Sequence, residues 1–295
     1  MMLKMRILCC LSLAILAPGP LWSEGPGDSV ELTVMTFNIR VPVDEGENSW
    51  ENRRERVVQL IREYQPDFVG TQEAVGDQAQ FMDEALEAYH FLGRGRESDG
   101  TGSGVQIYYR HGRWEPDPGY TGDFQLSDTP DVPGSNTWGL LWKRMTTWAR
   151  FIEKESGRSV YHFNTHLDVI WEEKGHKGGH EKSVRLIAAK ILDRAHSDDP
   201  VILTGDFNAG ESSRIIRYLQ EEPLNLVDTF RAVNPEAQNV GTRGGFPPDP
   251  EDEKIDYIFV SEDIEILDAE IVSRAPDGAP YPSDHFAVIA RIRID

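Results

Sequence analysis

Six stretches of this 295-residue chain border apolar runs with side chains able to do chemistry. Asn38 ends Thr36-Phe37-Asn38, and Glu73 stands in Thr71-Gln72-Glu73-Ala74. His166 follows Asn164-Thr165, while Asp206 and Asn208 share Gly205-Asp206-Phe207-Asn208. Asp256 lies in Ile255-Asp256-Tyr257, and Asp284 and His285 follow Ser283. Carboxylate and amide oxygens suit a hard divalent cation, and imidazoles suit proton transfer near neutral pH. Each residue also has a structural reading. An Asn after a strand is a turn former, an Asp binds a backbone amide, and a lone His beside apolar strands fills a core. Their recurrence in one order at the ends of apolar runs favours a shared site.

Such residues converge when strands from distant sequence end on one rim of a sheet. Residues 32–37 are apolar and β-branched and read as a strand. Over 52–64, Val57, Leu60 and Ile61 share one face, predicting a helix that Gln65-Pro66 stops. Further strands are predicted at 67–70, 105–109, 201–204, 254–260, 265–273 and 286–294, and a hairpin at 145–153 and 159–164 around Ser156-Gly157. Helices are predicted at 78–88, 182–194 and 212–220, the last capped by Ser212 or Ser213. The Pro- and Gly-rich stretches 116–136 and 234–253 read as loops, and 171–180 as a polar insertion. No linker divides the chain, which predicts one domain over 30–295.

Residues 1–24 stand apart. Lys4 and Arg6 precede an apolar run at 7–17 that Pro18-Gly19-Pro20 breaks, the pattern of an export signal peptide, with an uncleaved anchor as the alternative. The expected location is therefore secreted or periplasmic, with no integral membrane segment once the signal is removed. Cys9 and Cys10 both lie in this leader, so the rest of the chain has no disulfide, no thiolate metal site and no cysteine nucleophile. The formal net charge of −20 repels long polyanions and disfavours nucleic acid as a partner. A locally basic cleft from Arg40, Arg53, Arg54, Arg144 and Arg243 remains compatible with it.

Taken together, the six motifs resemble those of the endonuclease/exonuclease/phosphatase superfamily, from about residue 32 to 294. The resemblance implies an α/β fold, a four-layer αββα sandwich of two mixed β-sheets flanked by helices, as in deoxyribonuclease I. It implies a hydrolase that cleaves a phosphate ester by metal-assisted attack of water. Mg²⁺, or Mn²⁺, would be held by Asn38, Glu73 and Asp284. By the same resemblance, His285 would handle the proton of the attacking water or stabilise phosphoryl oxygens, and Asp256 would orient it. Asp206 would position or activate the water, unless the cation does so. Asn208 would bind a phosphate oxygen, and His166 would protonate the leaving group or donate to phosphate.

Arg144 stands where some members carry a phosphate-binding arginine; a surface ion pair is the alternative. Thr242 resembles a loop residue that touches substrate, with a simple turn as the alternative. Members often place a Glu just before the strand at 105–109 to pair with the histidine equivalent to His166. Here 101–104 reads Thr-Gly-Ser-Gly, so either Glu97 or Asp99 substitutes or the pairing is absent. His176 and His180 read as a solvated loop or an accessory metal pair. Trp50, Trp138, Trp142 and Trp171 either pack or stack on a base, sugar or headgroup. The leading expectation is an extracytoplasmic phosphoesterase acting on a small or exposed phosphate ester. A secreted nuclease of the same chemistry, and a non-catalytic binding protein, are the alternatives.

Overall fold

The computed structural model describes residues 29–169 and 178–295. The expected signal peptide, Trp171 and His176 lie outside the described residues. Two six-stranded sheets form the centre. The first runs β11 (Glu265–Val272), β12 (Ala287–Ile294), β1 (Val30–Asn38), β2 (Phe68–Gln72), β4 (Ile107–Arg110) and β3 (Tyr89–Leu92). The second runs β5 (Trp114–Gln125), β6 (Met145–Glu153), β7 (Ser159–His166), β8 (Val201–Asp206), β10 (Asp256–Val260) and β9 (Val227–Asp228). One parallel pair in each sheet, β1 with β2 and β7 with β8, makes both sheets mixed.

Side chains alternate between the two faces of each strand. Met35 and Phe37 of β1 therefore pack outward with Val57, Leu60 and Ile61 of α1 (Trp50–Tyr64) and Met82 of α2 (Gly76–Ala85). Leu203 and Phe259 pack outward on the other side, against α3 (Gly179–Leu192) and α4 (Arg214–Gln220). Leu32, Val34, Phe68, Ile202 and Ile258 point inward and form the layer between the sheets. The result is the expected αββα sandwich. Phe230, from the short helix α5 (Thr229–Val233), joins the inner layer.

Continuing the same alternation toward one rim turns the inner layer polar. β1 goes on to Thr36 and Asn38, β7 to Asn164 and His166, β8 to Thr204 and Asp206. Register aligns them, with His166 opposite Asp206 and Asp256 opposite Asp206 on the other flank. The sheets approach closely here: a Cβ at Gly70 would lie 2.3 Å from Thr204 Oγ1 and 2.6 Å from Asn164 Oδ1. Only glycine leaves room for that contact.

Local differences from the predicted elements have physical causes. The Pro-rich 116–136 stretch was expected as a loop, yet it begins within β5. β5 is an edge strand, where proline needs no ladder partner, and its register shifts between Pro116 and Thr121. The helix expected at 78–88 ends at Ala85, because β3 follows and pairs with β4. Ser213 is the cap of α4, its hydroxyl accepting from Ile216 N at 3.4 Å. The 171–180 insertion was expected to be loop throughout, but α3 begins at Gly179, so His180 sits in a first helical turn.

Candidate functional site

One carboxylate oxygen gathers side chains from both sheets. Asp206 Oδ2 accepts a hydrogen bond from Asn38 Nδ2 at 3.0 Å, across the inter-sheet layer. The same oxygen lies 3.3 Å from His166 Nε2 and 3.8 Å from His285 Nε2. His285 Nδ1 is bound to Asp256 Oδ2 at 2.8 Å, which fixes that ring's orientation. Asp206 Oδ1 accepts from Asn208 N at 2.9 Å. Asn208 Nδ2 donates to the Leu167 carbonyl at 2.9 Å and lies 3.0 Å from His166 Nε2. Asp206, Asp256 and His285 are each 5 % exposed or less.

Glu73 and Asp284 complete the ring. Glu73 Oε1 accepts from Asn38 Nδ2 at 3.3 Å, and its Oε2 accepts from Val41 N at 2.9 Å. Asp284 Oδ2 lies 3.4 Å from Arg40 NH1. Ser283 Oγ donates to the Asn38 carbonyl at 2.6 Å, tying the strand that starts the chain's fold to the loop before β12. Arg40, Glu73 and Asn208 adopt left-handed backbone, with φ of 60°, 66° and 48°. That conformation costs non-glycine residues about 1–2 kcal/mol each and collects where side chains must be aimed.

Burial and crowded charge set the protonation of the cluster. Burial, reinforced by Asp256, pushes the Asp206 carboxyl well above its ordinary range. Burial works against a charged His285, but Asp256 and Asp206 outweigh it and hold the ring cationic. Burial, aided by Arg144, His285 and Arg96, pushes His166 well down and keeps it neutral. Burial also raises Asp284, with Glu73 adding to it. Two like-placed histidines thus carry different charge.

The donor set suits a hard divalent cation. Glu73, Asp206 and Asp284 bring oxygens, and Asp256 Oδ1 is a buried oxygen with no partner. Atoms of Asp206, Asp256 and His285 lie within 4.8 Å of one another. Asn38 differs from expectation in detail: its Oδ1 accepts from Arg40 N at 3.0 Å, and its amide nitrogen faces the two carboxylates. The partly positive NH₂ there offsets the charge a cation would neutralise.

Three expectations need revision. Thr242 is fully buried, and its hydroxyl accepts from Ile255 N at 3.0 Å and Asp256 N at 3.1 Å. It therefore positions Asp256 and has no face for substrate. Glu97 pairs with Lys143 and Asp99 with Thr101, so neither stands in as the carboxylate for His166; Asp206 meets that ring. Arg144 is not a surface residue: it is 5 % exposed and faces the buried Asp168, with Nε 3.5 Å from Oδ1.

Sequence reading missed Asp168 and Arg96. Asp168 accepts from the backbone N–H groups of Leu141 and Trp142 and so shapes the loop carrying Trp142 and Arg144. Its place two residues after His166 was the available signal. Arg96, whose guanidinium lies 5.2 Å from the Trp142 ring centroid, had no motif around it. Trp50 packs in the core beside Phe81, and Trp138 packs against the layer under α3; Trp142 is 51 % exposed.

Comparison with known proteins agrees with this geometry. The model of the endonuclease/exonuclease/phosphatase family matches residues 35–285. A family protein of known structure from Bacteroides thetaiotaomicron is 29 % identical, covers 91 % of this chain and 99 % of its own, and superposes with a TM-score of 0.78. A mannosyl-6-phosphatase from the same organism is also 29 % identical, covering 88 % of this chain and 99 % of its own, with a TM-score of 0.76. An uncharacterised protein of Acanthamoeba polyphaga mimivirus is 28 % identical over 224 residues, 72 % of this chain and 80 % of that protein.

Proposed function

This chain belongs to the endonuclease/exonuclease/phosphatase family and is a hydrolase of phosphate esters; from that premise we propose that it is a divalent-cation-dependent phosphoesterase acting outside the cytoplasm on a small ester. The observation that carries this reading is the convergence of Asn38, His166 and His285 on Asp206 Oδ2. A similarity to a mannosyl-6-phosphatase supports a sugar-like alcohol in the ester. The leader pattern at residues 1–24 supports export. No helix among the described residues is long and apolar enough to cross a membrane.

Glu73 and Asp284, with Asp206 beside them, would hold Mg²⁺ or Mn²⁺. When bound, that cation offsets charge on the phosphoryl oxygens and helps ionise water. The chain's own groups carry the rest. Asp206, its proton affinity raised by burial, takes a proton from the attacking water. His285, kept cationic and oriented by Asp256, donates to a phosphoryl oxygen. His166 and Asn208 flank the opposite side of Asp206 and hold further phosphoryl oxygens. A new P–O bond to water forms as the ester P–O bond breaks; the leaving alkoxide takes a proton from solvent and departs as the alcohol, and Asp206 returns its proton to solvent.

The test is hydrolysis of chromogenic phosphate esters with Mg²⁺ or Mn²⁺, with and without a chelator. Activity should appear with the cation and vanish with the chelator. His285→Ala should lower kcat by about 10²–10⁴-fold. Undiminished turnover in either experiment overturns the reading.

A further inference from the structure

Arginines near the cluster differ in what they bind. Arg40 donates from Nε and NH2 to Asp44 and approaches Asp284. Arg53, fully buried, donates to the carbonyls of Ile39, Arg40, Val41 and Pro282. Arg144 and Arg96 do neither. Among the described residues, no acceptor makes a hydrogen bond to the guanidinium of Arg144, although it is 5 % exposed and its Nε is sealed from solvent. Its ion-pair partner Asp168 stands at 3.5 Å and already accepts two backbone N–H groups. Arg96 has no acceptor among the described residues either; the indole of Trp142 supports its charge from below. The loop carrying Arg96 is anchored beside Glu73, through Gly104 N donating to the Ala74 carbonyl at 2.8 Å.

Arg96 lies over the ring of Trp142, whose backbone N–H is held by Asp168, the ion-pair partner of Arg144, so two guanidiniums with idle donors share one neighbourhood, an unfavourable arrangement. Burial and the charge of Arg96 depress Arg144, while Asp168, Asp206 and Glu73 pull the other way; Asp168, two residues beyond His166, and Ala74, next to Glu73, bring the loops of Arg144 and Arg96 to the cluster. An anion that accepts from both would relieve the repulsion and satisfy the buried donors.

We propose that Arg96 and Arg144 form a cradle that selects the dianionic phosphate of a monoester over the monoanionic phosphate of a diester. The inference rests on the reading of the cluster as a phosphoesterase site. A monoester phosphate carries about −1.5 to −2 charge at neutral pH and offers three terminal oxygens. That is enough to serve two planar forks and the Asp206 side at once. A diester carries one charge and two free oxygens, and its second organic group would have to lie against the charged forks. Arg144 fixes the position of the dianion, and Arg96 adds the charge that distinguishes the two substrate classes.

The full chain is assayed with Mg²⁺ on p-nitrophenyl phosphate and on bis(p-nitrophenyl) phosphate, for the wild type, Arg96→Gln and Arg96→Lys. The wild type should favour the monoester in kcat/KM. Arg96→Gln should lower the monoester-to-diester ratio by about tenfold or more, chiefly through KM, because a recognition site loses a charged donor. Inhibition by inorganic phosphate should weaken by a similar factor. Arg96→Lys, which keeps charge without the fork, should fall between. Wild-type preference for the diester, or an equal loss on both esters in Arg96→Gln, overturns the cradle while leaving the phosphoesterase intact. Hydrolysis of neither ester by the wild type removes the reading of the site itself.

Discussion

The layer between the two sheets has an apolar end and a polar end, made by the same strands. At the apolar end, Phe68 lies against Trp114 and Phe151 at ring-centroid distances of 4.9 and 4.7 Å, surrounded by Val34, Ile202 and Ile258. Toward the rim the inward positions become Thr36, Gln72, Asn164 and Thr204, then Asn38, His166, Asp206 and Asp256. Between the two ends lies a buried hydrogen-bond network. Gln72 Nε2 donates to Asn164 Oδ1 at 2.8 Å, Thr204 Oγ1 donates to it at 3.0 Å, and Asn164 Nδ2 donates to the Thr71 carbonyl at 2.8 Å. Polar groups inside a protein are tolerated when they satisfy one another, and they then hold one geometry. The apolar end supplies stability; the polar network transmits that rigidity to carboxylates that a packed core alone could not hold apart.

Substitutions at the two ends should separate these roles. The largest effect is expected at Asp206. Asp206→Asn keeps the shape but removes the proton acceptor, and kcat should fall by about 10³–10⁴-fold. The melting temperature should hold or rise, because a crowded buried charge is gone. A loss of both activity and stability would show that the hub also holds the rim together. At the other end, Phe68→Ala should destabilise the fold by about 3–5 kcal/mol in chemical denaturation. Its folded fraction should keep kcat within a few-fold, and a selective collapse of kcat would erase the contrast.

A smaller effect belongs to His162, which sits at the boundary, 2.8 Å from Thr204 Oγ1 and edge-on to Phe68. Burial pushes its pKa down to about 3. Its folded-state value lies below that of the unfolded chain, so its contribution is complete above pH ~6.5 and is lost as pH falls toward 3. By pH 5 the loss from this residue should reach about 2 kcal/mol. His162→Gln should lack that component, giving a shallower decline of stability from pH 7 to 5. Parallel curves for the two proteins would mean that His162 titrates normally.

Much of the site was legible in the sequence because strand ends are sharp chemical events: an apolar run begins or stops beside a carboxylate, amide or imidazole. Asn38, Glu73, His166, Asp206, Asp256 and Asp284-His285 all stand at such points. Arg96 was not legible, and Asp168 only through its place two residues after His166, since a charged residue in a loop is ordinary on any surface. Their significance comes from burial and from contacts with Trp142 and Arg144, far away in the chain. Thr242 was misread for the same reason. Its loop signature was visible, but the two backbone amides that occupy its hydroxyl were not.

By itself, the sequence determined the alternation that splits each strand into an inner and an outer face, a pattern compatible with the two sheets and outer helices that the family resemblance implied. It also determined which side chains the strands deliver to the rim. Tertiary structure alone decided that these side chains meet at one oxygen of Asp206, through a register and a close approach at Gly70 that no local pattern encodes. It also decided that His285 is cationic while His166 is neutral. Charge in a buried cluster depends on neighbours brought from every part of the chain, and those neighbours exist only once the sheets have packed.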